Sequence, residues 1–506
     1  MMKGLVSSGH PRVSEAAAEV LRAGGNAFDA IVAAGFASTV AEPLLSSLGG
    51  GGFALARTAE GEEVLFDFFA DTPGMGRSGA AGAHPDALDF DPVVVNFSGA
   101  DQTFHVGWAS AAVPGMLKGL LHVHERFGRL PLAEVVHPAI TLARSGVLIN
   151  DFQFHLSELL EPIIRYGSES NHYFVTPEDH LLEPGELYRN AELAEFLEGL
   201  PVDPDGLYSG ELAALVARDM EAGGGLLTRQ DLEGYKVIER RPLSVSYRGV
   251  RLLTNPAPSL GGPLLALALS IQEAVDLSND EWGSRRHVQT LVGVLDEVER
   301  IRSAGGPLPT LGRHGLTEAQ ESVRTSTGGT THMNVADAEG NVASLSASNG
   351  EGCGHYVPGT GIMLNNMMGE DDLHPDGFHQ AEPGSRISSM MAPSMLIDGD
   401  GVRAALGSGG SKRIRTALQQ AITNLVDFRL PTDVALNRPR LHLSEGVVHV
   451  EPGYSREALD VLHGHGPTNV WDAQNVFFGG VHAVSPRHGE GGGDRRRAGH
   501  FMVVDP

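Results

Sequence analysis

An α/β fold is predicted for this 506-residue chain. Candidate strands fall into two sets, and helical blocks come before and between them. Gly, Pro, Asn and Asp turn signals separate the segments, and the part after residue 330 is rich in short apolar strand patterns. The length allows three domains or one large α/β unit, and no internal repeat divides the chain.

Gly4 to Ser8 reads as a short buried strand. Ser14 is an N-cap candidate for a helix over Glu15 to Leu21, which stops at Gly24-Gly25. Asn26 to Val40 is a second helix whose small residues (Ala30, Ala33, Ala34, Gly35, Ala37) permit close packing. Gly49 to Gly52 leads into a strand, Phe53 to Arg57, rather than into a helix, which excludes a dinucleotide-binding turn. Those glycines are expected to let backbone pass close to another segment. A strand over Val64 to Phe69 follows, and Pro73 to Ala109 reads only as loop. Helices are predicted from Pro114 through Arg126, Leu132 to Gly146, Asp151 to Tyr166, Asn190 to Glu198 and Gly210 to Ala222. His122 and His124, two apart on a helix, point to different faces and do not make a metal site.

Ser244 to Leu253 returns to strand, and the turn Asn255 to Gly262 precedes an apolar helix over Leu264 to Ala274. Glu297 to Arg302 lies on another helix. Residues 305–329 change to Gly, Pro, Ser and Thr, the composition of a surface connector and a place where chains are cut. Strands are expected at Ile362 to Asn366, Met395 to Ile397, Val402 to Leu406 and Val448 to Val450, with a helix over Ile414 to Asp427. Residues 487–498, with three adjacent arginines, read as a flexible hairpin tip whose charges are solvated.

The net charge of −26 argues against a nucleic-acid partner, and the acidic surplus is spread along the chain as a solvated surface. Apolar runs are too short to span a bilayer, so no membrane association is expected. Residues 1–12 lack an apolar core region, so the expectation is a cytoplasmic protein, or an exported one if a leader was removed. The single cysteine, Cys353, excludes an internal disulfide and any CxxC site and reads as a small buried residue. No cofactor and no metal is expected.

The chemistry centres on residues 328–350. Asp337 to Asn341 has hairpin-turn composition, with Gly340 and Asn341 able to take positive φ, between strands His332 to Ala336 and Val342 to Ser348. Thr330 stands at the outer start of the first strand, just after Gly328-Gly329. Beyond it the chain carries Ser7-Ser8-Gly9-His10-Pro11, Gly49-Gly50-Gly51-Gly52-Phe53, Ala112-Val113-Pro114-Gly115 and Pro256-Ala257-Pro258-Ser259-Leu260-Gly261-Gly262. Thr330-Thr331-His332, Leu364-Asn365-Asn366, Ser388-Ser389-Met390 and Gly407-Ser408-Gly409-Gly410-Ser411 complete the series. Several are weak alone, but in this order they resemble the gamma-glutamyltranspeptidase family of N-terminal-nucleophile (Ntn) hydrolases, from about Leu5 to Thr423 and more weakly to Val504.

The resemblance implies a four-layer αββα sandwich made from one precursor. Its large segment would be 1–329 and its small segment 330–506, intertwined as a heterodimer of the two cleaved pieces. Thr330 would be the nucleophile, freed when its hydroxyl attacks the Gly329 carbonyl. Its new α-amino group, with an ordinary pKa of about 8, would then serve as the base. His332, two residues along the strand and on the same face, is the rival base and reads as structural. By the same resemblance Ser348 hydrogen-bonds the nucleophile, and Gly409 and Gly410 form the oxyanion hole. Ser388 and Ser389 would receive a substrate carboxylate, and Asn349 would contact the glutamyl group. Glu370, Asp371 and Asp372 compete to bind the substrate ammonium.

Two departures from the family pattern stand out. Phe69 occupies the place where the family has a carboxylate-clamping arginine; losing such a pair weakens binding by about 1.5–3 kcal/mol unless Arg386 or another cation substitutes. The stretch from Asp372 to Ser388 is also too short for the lid that covers many relatives' sites, which favours water over an amino-acid or dipeptide acceptor. The expectation is cleavage of gamma-glutamyl amides such as glutathione, hydrolysis dominating. A glutaryl-type or poly-gamma-glutamate acyl group is the alternative that Phe69 favours, and a non-catalytic relative is the third reading.

Overall fold

The computed structural model describes residues 2–77, 88–96, 101–167, 171–303, 329–374 and 377–506. Nearly all of the predicted 305–329 connector lies outside the described residues, as does part of the predicted loop 73–109. Two antiparallel sheets form the centre. The larger orders its strands His500–Val504, Gly4–Ser8, Thr330–Asp337, Val342–Ser348, Gly51–Arg57, Glu63–Phe68 and Ile238–Arg240. The smaller orders Glu490–Gly492, Gly480–Ser485, Gly401–Gly409, Ser394–Asp398, Val250–Thr254 and Leu243–Tyr247.

Side-chain alternation divides the core. On the larger sheet Val6, Ala54, Phe66, Met333, Val335 and Leu345 face helices Pro11–Arg22, Ala27–Ala41 and Met116–Phe127. Leu5, Phe53, Leu55 and Leu65 face the other way, into a second core that continues through the smaller sheet to helices Gly261–Gln272 and Arg413–Val426. Helix, sheet, sheet and helix are therefore stacked as an αββα sandwich.

The capping chemistry explains several boundaries. The helix expected over Asn26 to Val40 is Ala27–Ala41; it starts from a capping box made by Asn26 and Asp29, and every residue in it is buried. The first helix starts earlier than expected, at Pro11, with the His10 side chain capping Arg12 N. Ser14 is inside that helix and bonds Ser8 Oγ at 2.7 Å instead of capping it. The expected Asp151–Tyr166 helix is two, Asp151–Leu159 and Glu161–Ile164, because Pro162 enters at the second start. The expected Ser244–Leu253 strand is a hairpin turned at Arg248 and Gly249, both with positive φ. Within the expected loop 73–109, Asp91–Asn96 and Asp101–Val106 pair as a small hairpin.

The glycine run 49–52 behaves as expected. A Cβ on Gly50 would lie 2.2 Å from the Ser348 carbonyl oxygen, and one on Gly52 2.5 Å from that of Ser346. Only glycine lets this strand start flush against the end of the central hairpin. Cys353 is buried, and burial pushes its thiol up to about 12. Among the described residues no helix is long and apolar enough to cross a membrane.

The tail is the largest correction. Residues 487–498 are not a solvated tip: Glu490–Gly492 joins the smaller sheet, and Arg496 and Arg497 are buried behind it. Arg496 pairs with Glu451 and with Asp494, and Arg440 reaches Asp494 at 2.6 Å. Only Arg495 of the three is exposed to solvent. Burial of paired charges, not turn composition, sets the conformation here.

Candidate active site

The hairpin Thr330–Asp337/Val342–Ser348 lies in the middle of the larger sheet, paired with Gly4–Ser8 on one edge and Gly51–Arg57 on the other. Its turn needs one positive φ, at Gly340; Asn341 does not take one. Register sets Thr330 opposite Ser348, His332 opposite Ser346 and Asn334 opposite Ser344. All six are buried and alternate with the apolar residues that pack on the helices, so this polar set forms the inner face.

At the far end of that face the polar atoms satisfy one another. His332 Nδ1 lies 2.8 Å from Ser346 Oγ, and its Nε2 lies 3.0 Å from Asn334 Oδ1. Ser344 Oγ also donates to Asn334 Oδ1, and Asn334 Nδ2 donates to Ser7 Oγ and to the His482 carbonyl of the facing sheet. Gly407 admits the imidazole, since a Cβ there would meet His332 Cε1 at 2.1 Å. Burial pushes the His332 pKa down to about 3. Such an imidazole stays neutral and is a weak base, so its place is structural.

The near end is different. Ser348 Oγ donates to the Gly329 carbonyl at 2.5 Å and accepts from Gly350 N. The Gly329 amide donates to Glu351 Oε1 at 2.8 Å. Thr330, only 5 % exposed, has its own carbonyl held by Arg497 Nη1 at 3.1 Å. Thr331 Oγ1 donates to Glu42 Oε1, while among the described residues Glu42 Oε2 and Asn349 Oδ1 have no hydrogen-bond partner. Gly409 ends the Gly401–Gly409 strand against this point, where a Cβ would lie 2.2 Å from the Thr330 carbonyl oxygen. Gly410 follows with φ 121°, turning the chain towards helix Arg413–Val426. Thr330, Ser348 and the Gly409–Gly410 turn are thus brought together, with Asn349 next to them.

Buried carboxyls surround this end. Burial raises Glu42 to about 7. Burial, and then the nearby Asp372, raise Glu370 to about 8. Glu351 is held well above the usual carboxylate range by burial and by Glu370. Of the three acids expected to compete, Asp372 is engaged by Lys412 Nζ at 2.7 Å and by Ser411 Oγ at 2.9 Å. Asp371 is only half-buried and acts on His105 and His374. Glu370 is the one beside the hairpin end: a Cβ on Gly350 would lie 2.5 Å from its Oε1.

Ser388 and Ser389 are held against the Asn255 to Gly262 turn. Ser388 Oγ donates to the Pro258 carbonyl, Ser389 Oγ accepts from Met391 N, and the Ser389 carbonyl accepts from Leu260 N and Ser259 Oγ. Among the described residues no hydrogen bond joins either serine to Thr330, Ser348 or the glycine turn. Phe69 is buried in the inter-sheet core, stacked on Phe53 with ring centroids 5.6 Å apart, so its side chain offers no cation. Arg386 does not substitute: its donors are engaged by Asp71 at 2.6 Å, Asp67 at 2.7 Å and the Lys236 carbonyl. Glu42, Glu351 and Arg497 escaped the sequence reading. Glu351 was within reach of it, as an acid three residues past Ser348 in a glycine-rich loop.

The family model for gamma-glutamyltranspeptidase matches residues 13–306 and 310–504. The chain is similar to the Acylase ACY 1 proenzyme of Pseudomonas sp. (strain SE83), 32 % identical over 509 residues that cover 96 % of this chain and 90 % of the relative. It is similar to the glutathione hydrolase proenzyme of Pseudomonas aeruginosa, 31 % identical over 476 residues, covering 87 % and 82 %. In fold it resembles the crystal structure of cephalosporin acylase from Bacillus halodurans, with a TM-score of 0.84 at 24 % identity, over 100 % of this chain and 96 % of the other.

Proposed function

Because the chain belongs to the gamma-glutamyltranspeptidase family, we propose that it is a self-processing amidase that works through an acyl-Thr330 intermediate and prefers gamma-glutamyl amides. Processing begins with attack of Thr330 Oγ1 on the Gly329 carbonyl carbon. The peptide C–N bond breaks, the hydroxyl proton passes to the departing nitrogen, and an ester remains. Water then cleaves the ester, releasing the Gly329 carboxylate and restoring the Thr330 hydroxyl beside the amine already freed. In turnover that amine accepts the hydroxyl proton as Thr330 Oγ1 attacks a substrate amide, and it returns the proton to the leaving amine. The N–H groups of Gly409 and Gly410 would receive the developing oxyanion.

One observation carries this reading: Gly329 is itself held as an acyl group would be. Its carbonyl accepts from Ser348 and its amide N–H meets Glu351, next to which Glu370 lies. An acyl chain with an amine at that end, as in a gamma-glutamyl group, would meet these carboxyls. The names of both curated relatives, each a proenzyme, support a precursor that is cut. The two pieces, 1–329 and 330–506, would remain a heterodimer, because strands from both alternate in the larger sheet.

A second reading has specific support. No guanidinium stands at Phe69, Arg386 is engaged by Asp71, Asp67 and the Lys236 carbonyl, and an acylase is among the relatives at 32 % identity. An acyl group without an α-carboxylate, such as glutaryl, would not need the missing clamp. A denaturing gel of wild type should give two bands, and Thr330→Ala one band near 53.5 kDa with no turnover. Glutamate against glutarate release from matched chromogenic amides then separates the two acyl readings. An uncut wild type without amidase activity would sink both.

A further inference from the structure

We propose that Arg497 is a positioning residue of this reaction: its guanidinium fixes the Thr330 carbonyl beneath the glycine turn and keeps the freed Thr330 amine unprotonated near neutral pH. The proposal rests on the reading of Thr330 as a new amino terminus.

The geometry is specific to this arginine. Its Nη1 donates to the Thr330 carbonyl at 3.1 Å, so the charge lies within one residue of the nitrogen that would become the base. Three glycines make room for it. A Cβ on Gly409 would lie 2.9 Å from Nη1, one on Gly410 3.6 Å from Nη2, and one on Gly480 2.4 Å from Cδ. The two residues expected to bind the oxyanion therefore also house the guanidinium.

Its charge is also unlike its neighbours'. Arg496 is paired with Glu451 and Asp494, and Arg440 with Asp494. Among the described residues Arg497 makes no ion pair, its Nε has no partner, and it is buried. Buried cations are normally paired, and an unpaired one acts on its surroundings as a fixed source of potential.

The groups around it decide when that potential is unopposed. Glu42 faces it from the end of helix Ala27–Ala41, Glu351 from the loop after the hairpin, and Glu370 lies behind Glu351. Burial raises Glu42 to about 7 and Glu370 to about 8, so both are largely uncharged in mildly acidic solution, and Glu351 is held well above the usual carboxylate range by burial and by Glu370. His332 and His482, on the two facing strands, are lowered by burial to about 3 and about 4 and stay neutral there too. Asp494 is ionised, but Arg440 and Arg496 hold its carboxylate. Arg497, lowered by burial to about 10, keeps its proton. Arg413, buried at the start of helix Arg413–Val426, is a second cation that acts on Arg497, but Arg497 is the one whose guanidinium bonds the Thr330 carbonyl beside the amine. A like charge at this range disfavours the ammonium by about one pKa unit or more. The acid limb of activity should accordingly fall below the ordinary α-amine value of about 8.

The test uses the cleaved, full two-fragment protein labelled with ¹⁵N-threonine. The α-amine resonance of Thr330 is titrated, and kcat/KM is followed against pH with whichever chromogenic amide the wild type turns over. Wild type should titrate about one unit or more below 8 in both measurements. Arg497→Met and Arg497→Gln should raise the acid limb by about one unit, and Arg497→Lys should leave it in place. A wild-type amine titrating at about 8 overturns the proposal, even if neither neutral variant folds. So does a cleaved neutral variant whose pH profile superimposes on wild type. A wild type that is never cleaved is a different result and defeats the nucleophile reading instead.

Discussion

The inner face of one hairpin carries two polar clusters a few residues apart, and they are built on opposite terms. Around His332 the polar atoms of Ser7, Asn334, Ser344 and Ser346 find partners within the fold. Around Thr330, among the described residues, Glu42 Oε2, Asn349 Oδ1 and Arg497 Nε have none, and the Glu42, Glu351 and Glu370 carboxyls are all raised by burial. Leaving buried polar atoms unpaired costs stability, so the second cluster is maintained against the folding free energy. A satisfied cluster specifies the register of the sheet, whereas an unsatisfied one is ready to receive a ligand. Both clusters centre on the same hairpin and both are buried, so burial alone does not distinguish them. Partner count does.

That contrast can be broken most severely at the glycine turn. Gly409→Ala would drive a methyl group to within 2.2 Å of the Thr330 carbonyl oxygen. Turnover should fall by about 10²–10³, as when an oxyanion donor is lost, and the loss is read as kcat of the cleaved protein. Ser348→Ala should be milder. It removes one hydroxyl donor from the Gly329 carbonyl, and the rate of precursor cleavage on a time-course gel should fall about tenfold. A cleavage rate equal to wild type would remove Ser348 from the reactive cluster.

The smallest effect on turnover, and the one that sharpens the comparison, belongs to His332. His332→Asn should leave the kcat of folded enzyme within about twofold while lowering stability by about 1–3 kcal/mol through lost hydrogen bonds. The pH dependence has a definite sign. The folded-state pKa of about 3 lies below the ordinary 6.5, so between those values the unfolded chain binds the proton and the folded chain does not. Stability contributed at this site is therefore intact above about pH 6.5 and declines as the pH falls towards 3. Thermal unfolding of wild type and His332→Asn between pH 4 and 7 should show the shallower slope in the variant. Parallel curves would mean that His332 is already charged in the fold.

Local chemistry made much of the architecture legible. The helix from Asn26 to Val40, the Asp337 to Asn341 turn and the alternation through Thr330 to Ser348 all rest on neighbours in sequence, and they fold as read. Arg248-Gly249 was a local signal too, a turn in what reads as a single strand. The misreadings are of another kind. Asp494 and Arg495 to Arg497 look like a solvated tip because nothing nearby in sequence shows that Glu451 and Arg440 close over them. Arg386 looks free until Asp67 and Asp71 are brought to it from more than three hundred residues away. Charge pairing across the sandwich is a tertiary property. Most of the candidate site that the sequence hides, Glu42 and Arg497 above all, consists of such pairings or of their absence.

The strand order of the larger sheet also limits how this protein could be made. Thr330–Asp337 borders Gly4–Ser8, and its hairpin mate borders Gly51–Arg57, so the proposed small fragment is enclosed by the large one at the middle of the sheet. Synthesised separately, residues 330–506 would display two naked hydrogen-bonding edges, a template for aggregation before any partner arrived. Covalent continuity thus acts as an internal chaperone that is needed once, and co-expression of two separate genes should not replace it.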